Sequence, residues 1–474
     1  METDRPNILL VILDTTRAEN CSLYGYQRET TPFLERFASE ATVYTQARAP
    51  GPDSILSHVS MWSGLSVPDH GVYSYMEEIE AGHSIWEELR DEGYSTGAFT
   101  ENPFFTIEDI GLCHGFQTVC GPLPKPFKSG LNPKEYVGSK EQFFRDAWQS
   151  KTPIRSGVNG LGTKFVNTKI GSRIEPYLST NADDYVDAFL NWEREIETPW
   201  AAVVNLMDAH GPYYPSRKND RWSSRADWRT QDDVDEMIWD FASGRRPWHD
   251  RKRLIGLYDG GIRDADAGVF HLVNQLKKRG ELGNTLLVIT ADHGEAFGEE
   301  SRIRDGIRIS QHSTGLHECL TWVPLVVSRP GQSEGACIDK PVSLTRFYEV
   351  ASAAARQQRE PFVKDEPVLA ATPGIENRMT MPETVRKHCP DDYDRYTGDL
   401  VAEYGMSEDG VTKTLRWKDR KATVVCPSPG SSYRTDYTTP DVELREFGTK
   451  SIAADKTETV DGNTLKRLQD LGYA

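Results

Sequence analysis

The segment Asn7-Ile8-Leu9-Leu10-Val11-Ile12-Leu13 is an almost unbroken aliphatic run that stops at Asp14. A run of this length, rich in Ile, Val and Leu and without polar alternation, suits a strand buried on both faces. That is the situation in a parallel sheet covered by helices on each side. Such sheets bind ligands just beyond the carboxyl ends of their strands, and Asp14 stands at that edge. A single aspartate there reads equally well as a turn cap. The case for chemistry depends on whether other strands deliver matching groups to the same edge.

Two further runs do so. Trp200–Leu206 leads into Asp208 and His210, and Thr285–Thr290 leads into Asp292 and His293. Helical spacing at Ala182–Glu197 and Leu254–Arg279 separates these runs, and a shorter strand at Ser95–Phe99 leads into Asn102. This order of segments from Asn7 to Val327 predicts an α/β fold with a doubly wound, mostly parallel sheet flanked by helices. The stiff loop Pro50-Gly51-Pro52 precedes a helical stretch from Ser54 to Gly64. Ser54 therefore falls at a helix N-terminus, where backbone N–H groups and the dipole favour an anion. Taken alone, it reads as an N-cap.

Beyond Pro330 the pattern shifts to a helix at Val342–Ala355, short strands at Ala370–Thr372, Thr412–Trp417 and Ala422–Cys426, and a closing helix at Thr464–Leu471. The expectation is a catalytic domain over residues 1–330 and a smaller C-terminal α+β portion over 331–474 packed on it. Irregular insertions at about 121–171 and 216–247 are places for substrate selection. With 474 residues and a formal charge of −17, the chain lacks the basic surface that nucleic acid requires. No segment approaches the ~20 apolar residues of a transmembrane helix. Met1–Pro6 is too short and polar for a signal peptide. The seven scattered cysteines suit reduced thiols, and together these features predict a cytoplasmic protein.

Two carboxylates and an imidazole at converging strand ends suit a divalent cation. Such an ion would polarise the Ser54 hydroxyl and neutralise an oxyanion at the helix terminus. His210 and His312 fit the outer ring, holding substrate oxygens or protonating a leaving group. Asp208 reads as turned away or as a support for His210.

These motifs occur in an order that resembles the sulfatase branch of the alkaline phosphatase superfamily: Pro6-Asn7-Ile8 through Asp14-Thr15-Thr16-Arg17, Ser54-x-x-Ser57-His58, Asn205-Leu206-Met207-Asp208-Ala209-His210, Thr290-Ala291-Asp292-His293-Gly294-Glu295, and His312-x-x-x-Leu316. The resemblance implies one divalent metal ion (Ca, Mg, Mn or Zn) held by Asp14, Asp292 and His293, with Ser54 at the nucleophile position touching it. It also implies a tetrahedral anion bound by His210 and His312, with Asn102 as a further substrate-binding side chain. The implied activity is hydrolysis of a sulfuric or related anionic ester of a sugar, lipid head group or small metabolite. Sulfatases carry a C/S-x-P/A-x-R motif whose first residue becomes formylglycine; here Leu56 and His58 replace the proline and the arginine, and Thr15 stands where a second aspartate is usual. These departures match the branch with Ser or Thr at the nucleophile position. They keep two alternatives open, a phosphodiesterase or phosphotransferase using unmodified Ser54 and a catalytically silent relative that binds anions or glycans.

Overall fold

The computed structural model describes residues 5–106, 108–121, 140–149, 181–197, 199–312, 314–378, 381–408, 410–428, 431–436, 447 and 451–456. Most of the insertion at about 121–171, and the closing helix expected at 464–471, lie outside them.

The main sheet has eight strands: β1 (Asn7–Leu13), β2 (Thr42–Arg48), β3 (Ser95–Phe99), β4 (Thr118–Cys120), β5 (Trp200–Leu206), β6 (Thr285–Thr290), β7 (Leu325–Ser328) and β8 (Ala336–Ser343). They lie in the order β8-β2-β7-β6-β1-β5-β3-β4. β7 runs antiparallel to both its neighbours, while the other pairings are parallel. β1 is central, in register with β5 on one side and β6 on the other.

The apolar run of β1 is explained by this position. Ile8, Leu10 and Ile12 point to one face, where they meet Trp62 and Val59 of helix α1 (Ser54–Ser63), Trp86 of α2 (Ile85–Asp91) and Val350 of α6 (Phe347–Ala355). Leu9, Val11 and Leu13 point to the other, against Tyr185 and Phe189 of α3 (Ala182–Glu193) and Val269 and Leu272 of α5 (Ile255–Arg279). All six are fully buried, and each burial contributes about 1.5–3 kcal/mol before entropy is counted. The short helix α4 (Trp248–Arg253) precedes α5. Among the described residues, no helix is long and apolar enough to cross a membrane.

The main sheet extends past Pro330. Its edge strand β8 pairs with β2, and α6 packs on α1. Val342 and Ser343, expected to open a helix, pair instead with Ala47 and Arg48 in that ladder, and the helix starts at Phe347. The C-terminal portion is a five-stranded antiparallel meander, β9 (Val368–Thr372), β10 (Leu400–Ser407), β11 (Gly410–Trp417), β12 (Arg420–Ser428) and β13 (Ser431–Asp436). It touches the main domain close to α1, where Ala371 N–H donates to the Pro50 carbonyl at 2.8 Å. The 216–247 insertion folds as short helices. Ser216 is tied to Asp264 of α5, and Trp239 packs with Met381 and Tyr396 of the C-terminal portion.

Candidate active site

β1, β5 and β6 are adjacent and parallel, so their carboxyl ends open on one edge, and β3 ends beside them. Asp14 follows β1, His210 lies beyond β5, Asp292 and His293 lie beyond β6, and Asn102 lies beyond β3. All five are buried.

Ser54 reaches this edge from the opposite direction, on the first turn of α1. It is not the cap itself. Asp53 is the N-cap, accepting from Leu56 N–H at 3.1 Å, and Ser54 is the first helical residue. The preceding loop is fixed by Ser57, whose Oγ donates to the Gly51 carbonyl at 3.1 Å. A left-handed Gly64 ends the helix, a conformation for which glycine carries no steric penalty.

The groups then converge. Ser54 Oγ donates to Asp292 Oδ2 at 2.8 Å and lies 3.3 Å from His293 Nε2. Asn102 Nδ2 lies 3.4 Å from Asp14 Oδ2 and 3.5 Å from Ser54 Oγ. Asn205, on β5, donates to Asp14 Oδ2 at 3.1 Å. Asp292 Oδ1 accepts from the backbone N–H groups of Thr15 at 3.2 Å and His293 at 3.0 Å. His293 donates its Nδ1–H to the Gly294 carbonyl at 2.8 Å, which turns Nε2 toward the cluster.

This arrangement sets an imidazole among buried carboxylate oxygens. His293 Nε2 stands 3.3 Å from Asp292 Oδ2, and Asp14 Oδ1 is buried without a hydrogen-bond partner among the described residues. One donor atom from each of Asp14, Asp292 and His293 falls within 4.8 Å of the others. Buried acceptors left facing one another are costly unless a proton or a cation lies among them. Burial and the neighbouring Asp292 carboxylate push Asp14 up to about 8. Burial also acts to raise Asp292, but His293, His58 and the Ser54 hydrogen bond outweigh it and hold that carboxyl below its usual range. The donor set, hard oxygens with one imidazole nitrogen, fits a divalent cation.

Two imidazoles border the cluster. The His312 ring centroid lies 4.6 Å from that of His293 and 5.2 Å from that of His210. His210 donates its Nδ1–H to the Gly211 carbonyl at 2.7 Å, and burial together with His312 pushes its pKa down to about 3. Two backbone outliers flank the site: Thr15 (φ 57°) follows Asp14, and Gln311 (φ 54°) precedes His312. A β-branched residue in the left-handed region is strained, and such strain persists where surroundings over-determine it. Thr15 is held by its Oγ1 bond to the Ala209 carbonyl at 2.8 Å, so its side chain anchors the β5 loop.

Other expected residues take supporting places. Asp208 turns away, accepting from Ala182 N–H at 3.0 Å at the start of α3. Arg17 is buried in its loop, paired with Glu299 at 2.6 Å. His58, one turn after Ser54, donates Nδ1–H to the Ser54 carbonyl at 2.8 Å and lies 3.6 Å from Asp292 Oδ2. His317 caps a short helix by accepting from Cys319 N–H at 3.1 Å. Three residues that sequence reasoning assigned no role belong to the site: Asn205, Glu295 and Arg251. Asn205 and Glu295 lie inside strand-end motifs, whereas Arg251 carries no sequence signal because its partners are distant in the chain.

The sulfatase family's sequence profile matches residues 6–355. An arylsulfatase of Clostridium perfringens is 23% identical over 347 residues, covering 69% of each chain. A sulfatase of Formosa agariphila is 22% identical over 372 residues, covering 73% of this chain and 68% of its own. Among solved structures, a phosphonate monoester hydrolase of Agrobacterium radiobacter superposes with a TM-score of 0.59 at 16% identity, covering 89% of both chains. Another from Silicibacter pomeroyi gives 0.54 at 14% identity, covering 91% of this chain and 89% of that one. These superpositions establish the fold, and the length of the profile match establishes the family: the chain belongs to the sulfatases, and it is a sulfatase-like ester hydrolase.

Proposed function

We propose that this enzyme is metal-dependent and cleaves a sulfuric ester, or a related anionic ester of a sugar, lipid head group or small metabolite, through Ser54. The observation that carries the reading is the contact of Ser54 Oγ with both Asp292 Oδ2 and His293 Nε2 at a helix N-terminus. Asp14, Asp292, His293 and Ser54 would hold one divalent ion, which would supply positive charge to the reacting anion. Ser54 attacks the central atom while Asp292 Oδ2 accepts its proton. Asn102 Nδ2, His210 and His312 surround the tetrahedral group, and the N–H groups of the first turn of α1 face its negative charge.

Whether the central atom is sulfur or phosphorus turns on Ser54. Leu56 and His58 occupy the motif positions of proline and arginine, and His58 is already committed to the Ser54 carbonyl. These features favour an unmodified serine, and with it the second reading, a phosphodiesterase or phosphotransferase. We place the enzyme in the cytoplasm on the strength of its seven unpaired cysteines.

Ser54→Ala and Asp292→Asn should each abolish turnover and leave the circular dichroism spectrum unchanged. A panel of aryl sulfates, phosphates, phosphodiesters and phosphonate monoesters, assayed with different metals, identifies the ester. Mass spectrometry of the Ser54 peptide separates serine from the lighter formylglycine. Most of the activity surviving in either variant under metal-replete conditions would overturn the mechanism, and an active fold inert to the whole panel would favour an anion-binding relative.

A further inference from the structure

A buried ion pair reaches the site from the helix that follows the 216–247 insertion. Arg251 of α4 is fully buried. Its Nη2 donates to Glu295 Oε1 at 3.0 Å, to the Tyr213 hydroxyl at 3.0 Å and to the Ala296 carbonyl at 2.9 Å. Its guanidinium lies 4.3 Å over the Phe297 ring. Glu295 is also fully buried, and Ala296 N–H donates to the same Oε1 at 3.2 Å. The second oxygen, Oε2, faces His312 Nδ1 at 3.7 Å. A movement of under about 1 Å closes that gap to a hydrogen bond, and catalytic contacts are often this long before substrate binds.

A buried carboxylate with one oxygen clamped by Arg251 and the other facing an imidazole costs stability compared with an apolar filling of the same space. Its placement therefore calls for a reason beyond packing. The two imidazoles bordering the site differ in this respect: His210 has a neutral backbone carbonyl at its Nδ1, and His312 has a carboxylate. The left-handed backbone of Gln311 fixes where His312 begins.

We propose that Arg251 and Glu295 are positioning residues that orient the His312 ring, so that His312 rather than His210 protonates the leaving oxygen. The proposal rests on the Ser54 reading above. As Ser54 Oγ bonds to the central atom, its proton passes to Asp292 Oδ2. The bond to the leaving oxygen breaks with both electrons going to that oxygen, which takes the proton from His312 Nε2. Water then attacks the central atom and gives a proton to His312 as the bond to Ser54 breaks, and Asp292 returns the first proton to Ser54. The role of Glu295 is that of the carboxylate behind a catalytic histidine, fixing ring orientation and tautomer.

The test uses the metal-replete full chain, with the ester class that the panel identifies and leaving groups running from nitrophenol through phenol to alkyl alcohols. A good leaving group needs no acid and a poor one does. Glu295→Gln should lower kcat/KM, which reports the step that expels the leaving group, by about 100-fold more for the alkyl ester than for the nitrophenyl ester, with bound metal unchanged. His312→Gln should show the same dependence on the leaving group, added to a loss common to every ester because His312 also borders the anion, and adding Glu295→Gln to it should bring no further loss. Arg251→Lys, which retains a cation, should show a smaller loss in the same leaving-group order. Should Glu295→Gln not fold, the Arg251→Lys series decides alone. Equal losses across the series, or multiplicative losses in the double variant, would overturn the assignment while leaving the ester-hydrolase reading intact. A wild-type enzyme inert on every ester overturns both.

Discussion

Ser54 Oγ and Asp292 Oδ2 meet at 2.8 Å across 238 residues of sequence. The contact joins the first turn of α1 to the end of β6. It places the hydroxyl where the positive end of a helix dipole faces a cluster of buried acceptors. A hydroxyl so placed is poised to lose its proton, and the groups around it determine what that requires.

The first requirement is charge compensation. Without a cation, burial and Asp292 hold Asp14 up to about 8, so it keeps its proton at neutral pH. A metal needs the carboxylate, and binding must therefore release that proton. Burial acts to lower His293, but Asp292 and Asp14 outweigh it and hold that imidazole above its usual range as well. Affinity should therefore tighten as pH rises, and calorimetry in two buffers of different ionisation enthalpy should show net proton release at pH ~7. Chelation should remove activity and lower the thermal midpoint, since a ligand at 100 times its Kd stabilises by about 2.7 kcal/mol. The imidazole in the donor set favours Mn or Zn over Mg or Ca in restoring activity. Full activity after exhaustive chelation, or binding independent of pH, would refute the assignment.

The second requirement is a rigid helix start. Asp53 caps α1 through Leu56 N–H, and its other oxygen accepts from Arg378 of the C-terminal portion. Asp53→Ala removes both contacts. It should cost about 1 kcal/mol for the cap and lower kcat by about 10- to 100-fold through misplacement of Ser54. Asp53→Asn keeps a capping oxygen and should stay within about threefold of wild type. Steady-state kinetics with thermal melts on both variants decide the matter. Equal loss in the two would mean that charge, not the cap, is what matters.

Much of this site was legible because β1, β5 and β6 are buried on both faces. Continuous apolar runs marked them, and a parallel sheet sends the residues after each run to one edge. The sequence could not separate Asp53 from Ser54 as the cap, since both residue types cap helices. The edge strand β8 escaped because Asp339, Lys340 and Pro341 interrupt it, the usual protection of an exposed edge. Arg251 stayed hidden for a different reason. It reads as one charge among several at the end of a polar insertion, and only the tertiary fold shows it buried against Glu295, 44 residues on.

The last relationship tests how the C-terminal sheet supports the site. Lys413 of β11 is fully buried, donating to the Leu316 carbonyl at 2.7 Å and ion-paired with Glu318 Oε1, in the segment just after His312. Burial acts to raise Glu318, but Lys413 and His317 outweigh it and hold the carboxyl well below its usual range. A folded-state value below the unfolded one gives stability that is present above the unfolded pKa of about 4.3 and lost as pH falls below it. Lys413→Met reverses that sign. With its partner gone, burial dominates, the folded value rises above the unfolded one, and stability is lost as pH increases. At pH ~7 the variant should be about 3–5 kcal/mol less stable, and adding Glu318→Gln should recover most of the loss. Urea denaturation midpoints between about pH 4 and pH 8 read the slope directly. A Lys413→Met variant within about 0.5 kcal/mol of wild type at pH ~7, with the acid limb unchanged, would show that the pair does not hold the two portions together.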